Sequence, residues 1–180
     1  MIFSAIIPAS AKDLESQNLK DLIASIKAQD FPQDQIEILV ITEGDSEQAK
    51  GIGIKRAKGE IIGMFCADNF ITNPIFFKEV YSAFMMDKSV TGVYPKYYQI
   101  VPRSNSLDRY FSLIGGNDVI CFYIGKNDRK PWYDYNEEEI SSYVKFPNMV
   151  PSLGCNGFFY RSDRIREADL DHYYPMDCAE

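Results

Sequence analysis

The chain has 180 residues, of which 46% are hydrophobic and 25% are charged, so it can bury the core of one soluble globular domain. Its formal net charge of -7 argues against a general nucleic-acid or anionic-membrane surface, because such partners are attracted by clustered Lys and Arg. Any anionic ligand must therefore be bound at a local site.

The cysteines and the N-terminal sequence bear on the cellular setting. The four cysteines lie far apart and form no C-x-x-C pair, which argues against a zinc knuckle and favours a reducing, cytoplasmic setting. The opening MIFSAIIPAS lacks the basic region and long apolar region of a signal peptide, and no apolar run approaches the roughly 20 residues that span a bilayer. We therefore expect no transmembrane segment in this chain, with peripheral membrane association left open.

The first elements alternate between strand and helix patterns. An apolar run at residues 2–7, closed by Pro8, predicts a strand covered on both faces. The next segment is predicted to be an amphipathic helix that Ser16 or Asn18 caps and that Phe31-Pro32 stops. Its apolar face consists of Leu19, Leu22, Ile23 and Ile26.

The alternation continues through the first half of the chain. A second strand is predicted at 36–41, and a second helix at 49–58 that is weakened by Gly51 and Gly53. A third strand is predicted at 61–66. This β-α-β-α-β order favours a parallel sheet.

Later elements are less regular. Pro74 is predicted to occupy the first position of a third amphipathic helix, and a fourth strand is predicted at 90–94. Beyond it, a helix at 106–113 and a strand at 158–160 are the remaining expectations.

Domain organisation follows from this pattern. The chain has no linker, internal repeat or low-complexity segment, so we expect residues 1–180 to form one α/β domain with a mostly parallel sheet flanked by helices. Residues 1–95 would form a nucleotide-binding half, and the more irregular residues 96–180 would elaborate it.

Several motifs of nucleotide-dependent and hydrolytic enzymes are incomplete or absent in this sequence. GIGIKRAKG has Arg56 where G-x-G-x-x-G needs its third glycine, and Gly125-Lys126 lacks the rest of a P-loop. His172 is the only histidine and no G-x-S-x-G accompanies it. These observations argue against a histidine-based metal site and against a Ser-His-Asp triad.

Polar or turn-forming residues follow three predicted strands: Pro8-Ala9-Ser10, Glu43-Gly44-Asp45 and Asp68-Asn69. Ligands of open α/β sheets bind outside the carboxyl ends of the strands, so we expect these segments to line one crevice. A carboxylate such as Asp68 suits Mg²⁺ or Mn²⁺, completed by phosphate oxygens and water. The alternative is that Asp68-Asn69 only forms a turn.

Four blocks, in this order, resemble the family 2 glycosyltransferases, which have a GT-A fold. They are spread from residue 3 to residue 163, so the resemblance covers most of the chain, and they are FSAIIPAS, LKDLIASIKAQDFP with IEILVITEGDSE, GIGIKRAKGEIIGMFCADNF, and LGCNGFFYRSD. The resemblance implies a hexosyltransferase-like enzyme that transfers a sugar from a nucleotide diphosphate donor to an acceptor hydroxyl, with inversion and a divalent metal. It also implies a saccharide or lipid-linked acceptor, as in polysaccharide biosynthesis.

The resemblance places Asp68 at the second aspartate of the D-x-D motif, which helps to hold the metal, with Asn69 beside it. Cys66 stands at the first aspartate, and a soft thiol is a poor partner for Mg²⁺ or for a ribose hydroxyl. This departure implies an altered donor contact, an enzyme with one acidic ligand, or lost activity. Alternatively, Cys66 is simply a small buried hydrophobic residue.

Other donor contacts are implied in the same way. Thr42-Glu43 stands where the family has two aspartates near the nucleoside, so Glu43 is the candidate acceptor for the base or ribose. Asp45 either joins it or caps the following helix. Pro8, Ala9 and Ser10 would offer backbone groups to the base.

The catalytic base is expected downstream of a G-x-N-G-x-x-x-R-like block, here residues 154–161. Gly154 and Asn156 of this block would lie beside the transferred sugar, and Asp177 is the candidate for the carboxylate that takes the acceptor proton. The chain ends three residues after Asp177, whereas the family's domain continues. We therefore expect the acceptor side to be incomplete.

Two other functions stay open. A non-catalytic module that binds a nucleotide-sugar or a partner protein is favoured by Cys66 and by the early end of the chain. A nucleotidyltransferase would share the sheet and the metal, but it usually carries a glycine- and basic-rich loop after the first strand, where this chain has ASAKDLES.

Overall fold

The computed structural model describes residues 1–93, 106 and 157–167. Residues 1–93 and 157–167 belong to one compact unit. Its strands are β1 (Phe3–Pro8), β2 (Ile36–Ile41), β3 (Ile61–Met64), β4 (Gly92–Val93) and β5 (Phe158–Arg161). Its helices are α1 (Gln17–Lys27), α2 (Ser46–Arg56), α3 (Phe76–Met86) and α4 (Ser162–Glu167), with 3-10 turns at Asp13–Glu15 and Gln33–Gln35.

The strands form a mixed sheet in the order β2-β1-β3-β5-β4. β1 pairs in parallel with both β2 and β3, and β5 pairs antiparallel with both β3 and β4. Among the described strands, only β5 therefore runs antiparallel to the others. The predicted α/β fold with a mostly parallel sheet is confirmed.

Helices cover both faces of the sheet, because successive strand residues point to opposite faces. On one face, α1 and α3 pack against β1 and β5, and on the other α2 packs against β1 and β3. β1 is buried from Phe3 to Ile7, as predicted for a strand covered on both sides. Aromatic rings fill the first layer, where Phe3, Phe77 and Phe159 contact one another edge to face.

Two helix starts show how local hydrogen bonds set the boundaries. α1 begins after Ser16, whose Oγ accepts a hydrogen bond from the Leu19 N–H at 3.2 Å, so one of the two predicted caps is present. α2 begins at Ser46 and not at Ala49, because Asp45 and Gln48 cap each other's backbone N–H groups at 2.8 and 3.0 Å.

Other boundaries differ from the prediction. β3 ends at Met64, before Cys66, and α3 begins at Phe76, so Pro74 is not its first residue. Pro74 lies in a turn and its carbonyl accepts a hydrogen bond from the Asp30 N–H at 2.8 Å, which ties it to the end of α1 instead.

The remaining expectations are met in part. β2 has its predicted bounds, and β5 extends the predicted strand at 158–160 by Arg161. The predicted helix at 106–113 lies outside the described residues except for Ser106, which is helical. The division at residue 95 stays a prediction. Within the described ranges, no helix combines the length and apolar character needed to cross a membrane.

Candidate functional site

A pocket of about 290 Å³ lies at the carboxyl ends of β1 and β3, beside the first turns of α2. The sheet and α2 converge on it, as is general for open α/β sheets. Its lining residues are Pro8 at the end of β1, Asp13 after β1, Ser46 and Lys50 on α2, and Met64, Phe65, Cys66, Ala67 and Asp68 from the end of β3 onward.

The predicted site residues divide into two groups in this structure. Pro8, Cys66 and Asp68 line the pocket together. The other residues predicted after the first three strands are not part of its lining: Ala9, Ser10, Glu43 and Asn69. The pocket thus unites the ends of two of the three expected strands.

Asp68 lies in a turn directly after β3. The Asn69 Nδ2 donates a hydrogen bond to Asp68 Oδ1 at 2.8 Å, and the Asn69 N–H donates to the Cys66 carbonyl at 3.2 Å. Asp68 is exposed and Cys66 is partly buried. The turn interpretation therefore describes the local backbone, but it does not exclude ligand binding, since Asp68 also lines the pocket.

Asp13 was missed by the sequence interpretation and supplies a second carboxylate. The Ser10 N–H donates a hydrogen bond to Asp13 Oδ2 at 2.7 Å, which turns the chain after β1 back towards the pocket. Hydrogen bonds from the side chain and backbone of Ser10 lower the pKa of Asp13, so this group is ionised at neutral pH. The polar spacing of Ser10 and Asp13 was the available signal, because Asp side chains commonly bond nearby backbone N–H groups.

Backbone contacts also fix the start of that loop. The Ala9 N–H donates a hydrogen bond to the Ile41 carbonyl at 2.9 Å, joining the ends of β1 and β2. Ala9 is only 9% exposed. Its role in the described structure is therefore to hold the two strand ends together.

Ser46 and Lys50 were also missed. They lie four residues apart on α2, hence on one face of the helix, and both line the pocket. Lys50 brings positive charge to a pocket that otherwise contains the carboxylates of Asp13 and Asp68. The sequence did not predict that Ser46 and Lys50 share one face of a helix, because the predicted helix began at Ala49 and left Ser46 outside it.

Glu43 is engaged by Arg56, the last residue of α2. The two guanidinium nitrogens of Arg56 donate to the two carboxylate oxygens at 2.6 and 3.0 Å. This pairing lowers the pKa of Glu43 and raises that of Arg56. A nucleoside bonded to Glu43 would have to share these oxygens with Arg56. Asp45, for which two roles were open, caps α2.

Few of the described side chains at this pocket could serve as metal ligands. Within residues 1–93 and 157–167, no three side chains of His, Cys, Asp or Glu come together in a group that could hold a metal ion. Mg²⁺ is commonly bound by one or two carboxylates, with substrate phosphates and water completing its shell. Asp68 therefore fits a metal whose coordination shell is completed by a diphosphate and water.

Gly154, Asn156 and Asp177 lie outside the described residues, but the start of β5 is visible beside the pocket. The Gly157 N–H donates a hydrogen bond to the Met64 carbonyl at 2.7 Å, and Met64 lines the pocket. Gly157 has a φ of 69°, a conformation that glycine adopts readily. The segment that follows Asn156 is thereby joined to the end of β3.

Comparison with solved structures gives the fold but no family. No protein-family model and no curated protein matches the sequence. The structure is similar to S. aureus TarS 1–349 in complex with UDP, with a TM-score of 0.58 and 17% identity over 98% of this chain and 51% of that one. For the complex of TarS 1–349 with UDP-GlcNAc, the TM-score is 0.58 at 17% identity, over 97% and 49% of the two chains.

Full TarS gives a TM-score of 0.57 at 17% identity, over 98% of this chain and 31% of that one. This chain thus spans about half the length of TarS 1–349. The similarity supports the predicted GT-A-like architecture at the level of the fold.

Proposed function

We propose that the pocket between β1, β3 and α2 binds a nucleotide-sugar together with Mg²⁺ or Mn²⁺, and that the chain belongs to an inverting glycosyltransferase. The observation that carries this proposal is the position of Asp68, which lines a pocket at the carboxyl ends of two parallel strands. The similar fold of TarS, which binds UDP and UDP-GlcNAc, supports it.

The pocket residues suit the parts of such a donor. Asp68 would contribute a carboxylate oxygen to the metal, which when bound neutralises charge on the leaving diphosphate. Lys50 would add positive charge near the phosphates. Asp13 would accept hydrogen bonds from donor hydroxyl or N–H groups, because an ionised carboxylate only accepts.

The acceptor half of the proposal rests on the resemblance alone. Asp177 would take the proton of a saccharide or lipid-linked acceptor hydroxyl, and Gly154 and Asn156 would lie beside the transferred sugar. Such a base acts best when its pKa lies near the working pH.

The donor site is tested by calorimetric titration of a panel of nucleoside diphosphates, with UDP first, in the presence and absence of Mn²⁺. Asp68→Asn is expected to weaken Mn²⁺-dependent binding about 10- to 100-fold, because a contact to a charged group contributes about 1.5–3 kcal/mol. Asp34→Asn is the matched control, since Asp34 is also exposed but lies before β2, away from the pocket. Equal affinity of the two variants would contradict the site.

A turnover assay distinguishes the proposed enzyme from a non-catalytic binding module. The presence of Cys66 in the pocket lining favours the binding module. Release of UDP from UDP-GlcNAc that is lost in Asp177→Asn, while binding persists, is the result expected of a transferase. Binding without turnover in the wild type would favour the module. Pyrophosphate release from a nucleoside triphosphate would favour a nucleotidyltransferase instead.

A further inference from the structure

The segment that carries Asp68 has no regular secondary structure. We call residues 65–75, between β3 and α3, the Asp68 segment; its first four residues all line the pocket. A stretch of backbone without helix or sheet hydrogen bonds keeps one conformation only if other groups bond to it. The position of Asp68 therefore depends on what holds this segment.

Ser25 of α1 and Gln29, which lies two residues after the end of α1, bond to the segment and to the start of α3. Ser25 Oγ accepts a hydrogen bond from the Ile71 N–H at 3.0 Å. Gln29 Nε2 donates to the Asn73 carbonyl at 3.0 Å, and Gln29 Oε1 accepts from the Phe77 N–H at 3.2 Å. These contacts therefore come from the last turn of α1, which ends at Lys27, and from the turn that follows it.

Gln29 is suited to this place because it is buried and uses both ends of its amide. Its side chain is 6% exposed, and its Nε2 also donates to the Ser25 carbonyl at 3.2 Å. Only an amide side chain offers an acceptor and two donors from one planar group. Without it, the N–H of the buried Phe77 would lose this acceptor, at a cost of about 1–3 kcal/mol.

Further contacts hold the segment against the same layer. The Asp30 N–H bonds to the Pro74 carbonyl at 2.8 Å. Ala67 and Ile71 pack against the core cluster that contains the buried face of α1. The segment is thus fixed on both sides of Asp68: by β3 before it, and by α1 and the turn that follows α1 after it.

We propose that Gln29, assisted by Ser25, is a positioning residue for the donor site: it holds the Asp68 segment in the conformation that brings Asp68 to the pocket. This inference rests on the proposed nucleotide-sugar function. It adds that metal-dependent affinity is set in part by a residue that does not line the pocket. Groups that orient a metal ligand typically change metal affinity about 10- to 100-fold when they are removed.

The test compares Gln29→Met with Ser4→Ala. Met has a similar length but neither donates nor accepts in the way an amide does. Ser4 is the matched control because it is fully buried, and its Oγ accepts a hydrogen bond from the Gly59 N–H at 2.7 Å and donates to Glu37. It lies at the amino end of β1, away from the pocket at Pro8.

UDP affinity is measured with and without Mn²⁺ in buffer without denaturant, at a temperature where circular dichroism shows that each variant is folded. Both variants are expected to unfold at lower denaturant concentration than the wild type. Gln29→Met is expected to lose about tenfold or more of the Mn²⁺-dependent affinity, with metal-free UDP affinity unchanged. Ser4→Ala is expected to keep both the Mn²⁺-dependent and the metal-free affinity for UDP, since a loss of stability alone does not lower one of these affinities and leave the other unchanged.

The outcomes are distinguishable. If wild type binds UDP and Asp68→Asn loses the Mn²⁺ dependence, but Gln29→Met binds like Ser4→Ala, the inference is overturned and the proposed function stands. If the wild type binds no nucleoside diphosphate, both are overturned. Should Gln29→Met not fold, Ser25→Ala takes its place: it removes the bond from the Ile71 N–H and the hydrogen bond that Ser25 Oγ donates to the Leu22 carbonyl within α1, and a selective loss of Mn²⁺-dependent affinity is again the expected result.

Discussion

Two glycines of α2 give opposite predictions for the same substitution. A Cβ at Gly53 would collide with Cγ2 of Ile6, a fully buried side chain of β1, and lie 3.1 Å from its Cδ1. A Cβ at Gly51 would meet nothing within 4 Å. Ala is favoured over Gly in a helix by about 1 kcal/mol, so Gly51→Ala is expected to stabilise the protein by about that amount. At Gly53, overpacking costs about 1–3 kcal/mol, which cancels or exceeds the same gain.

The free energy of unfolding of each variant is measured by guanidinium denaturation, followed by circular dichroism. We expect Gly53→Ala to be about 1–3 kcal/mol less stable than Gly51→Ala, a difference of about 2–12 °C in Tm for a chain of this size. Because α2 carries Ser46 and Lys50 to the pocket, Gly53→Ala is also expected to weaken UDP binding, while Gly51→Ala is not. Equal stability of the two variants would refute the close approach of α2 to β1.

The remaining predictions concern Arg56 and Cys66. The folded-state pKa of Glu43 is lowered by Arg56, so the stability from this pair is present above the unfolded-state pKa of Glu43 and is lost as pH falls through the lower folded value. Arg56→Met is therefore expected to raise the pKa of Glu43 in an NMR titration, and an unchanged pKa would contradict the bidentate pair. Cys66→Asp is expected to strengthen Mn²⁺-dependent UDP binding about tenfold by adding a carboxylate ligand, and calorimetry showing no gain would argue against a metal beside residue 66.

Much of the fold could be predicted from local signals in the sequence. The run of β2, which is apolar except for Glu37, gave its bounds, and the helical spacing of Leu19, Leu22 and Ile26 gave the buried face of α1. The start of α3 could not be predicted in this way, because Pro74 is held by the backbone of Asp30, which is distant in sequence. The strongest local sign of a helix start was overridden by a tertiary contact.

The residues of the candidate site show the same difference between local sequence signals and tertiary contacts. Pro8, Cys66 and Asp68 could be predicted to lie together because they follow parallel strands, and neighbouring parallel strands end at the same edge of a sheet. Asp13 reaches the pocket through a turn after β1, and Lys50 through the direction of α2. Neither direction is encoded by the periodicity of a single element, so both residues required the assembled structure.

The charges of the described pocket residues suggest a reason why the proposed binding of a nucleotide diphosphate would need a metal, even though Cys66 stands in place of a carboxylate. Among the described lining residues, Asp13 and Asp68 present two carboxylates against the ammonium of Lys50, so this part of the lining is acidic. A nucleotide diphosphate is itself strongly negative and would be repelled by such a lining unless a divalent cation entered with it. On this argument the proposed metal dependence would come from the charges of the described lining and not from one paired motif, and the thiol at residue 66 would remove one ligand without removing the proposed requirement for a cation.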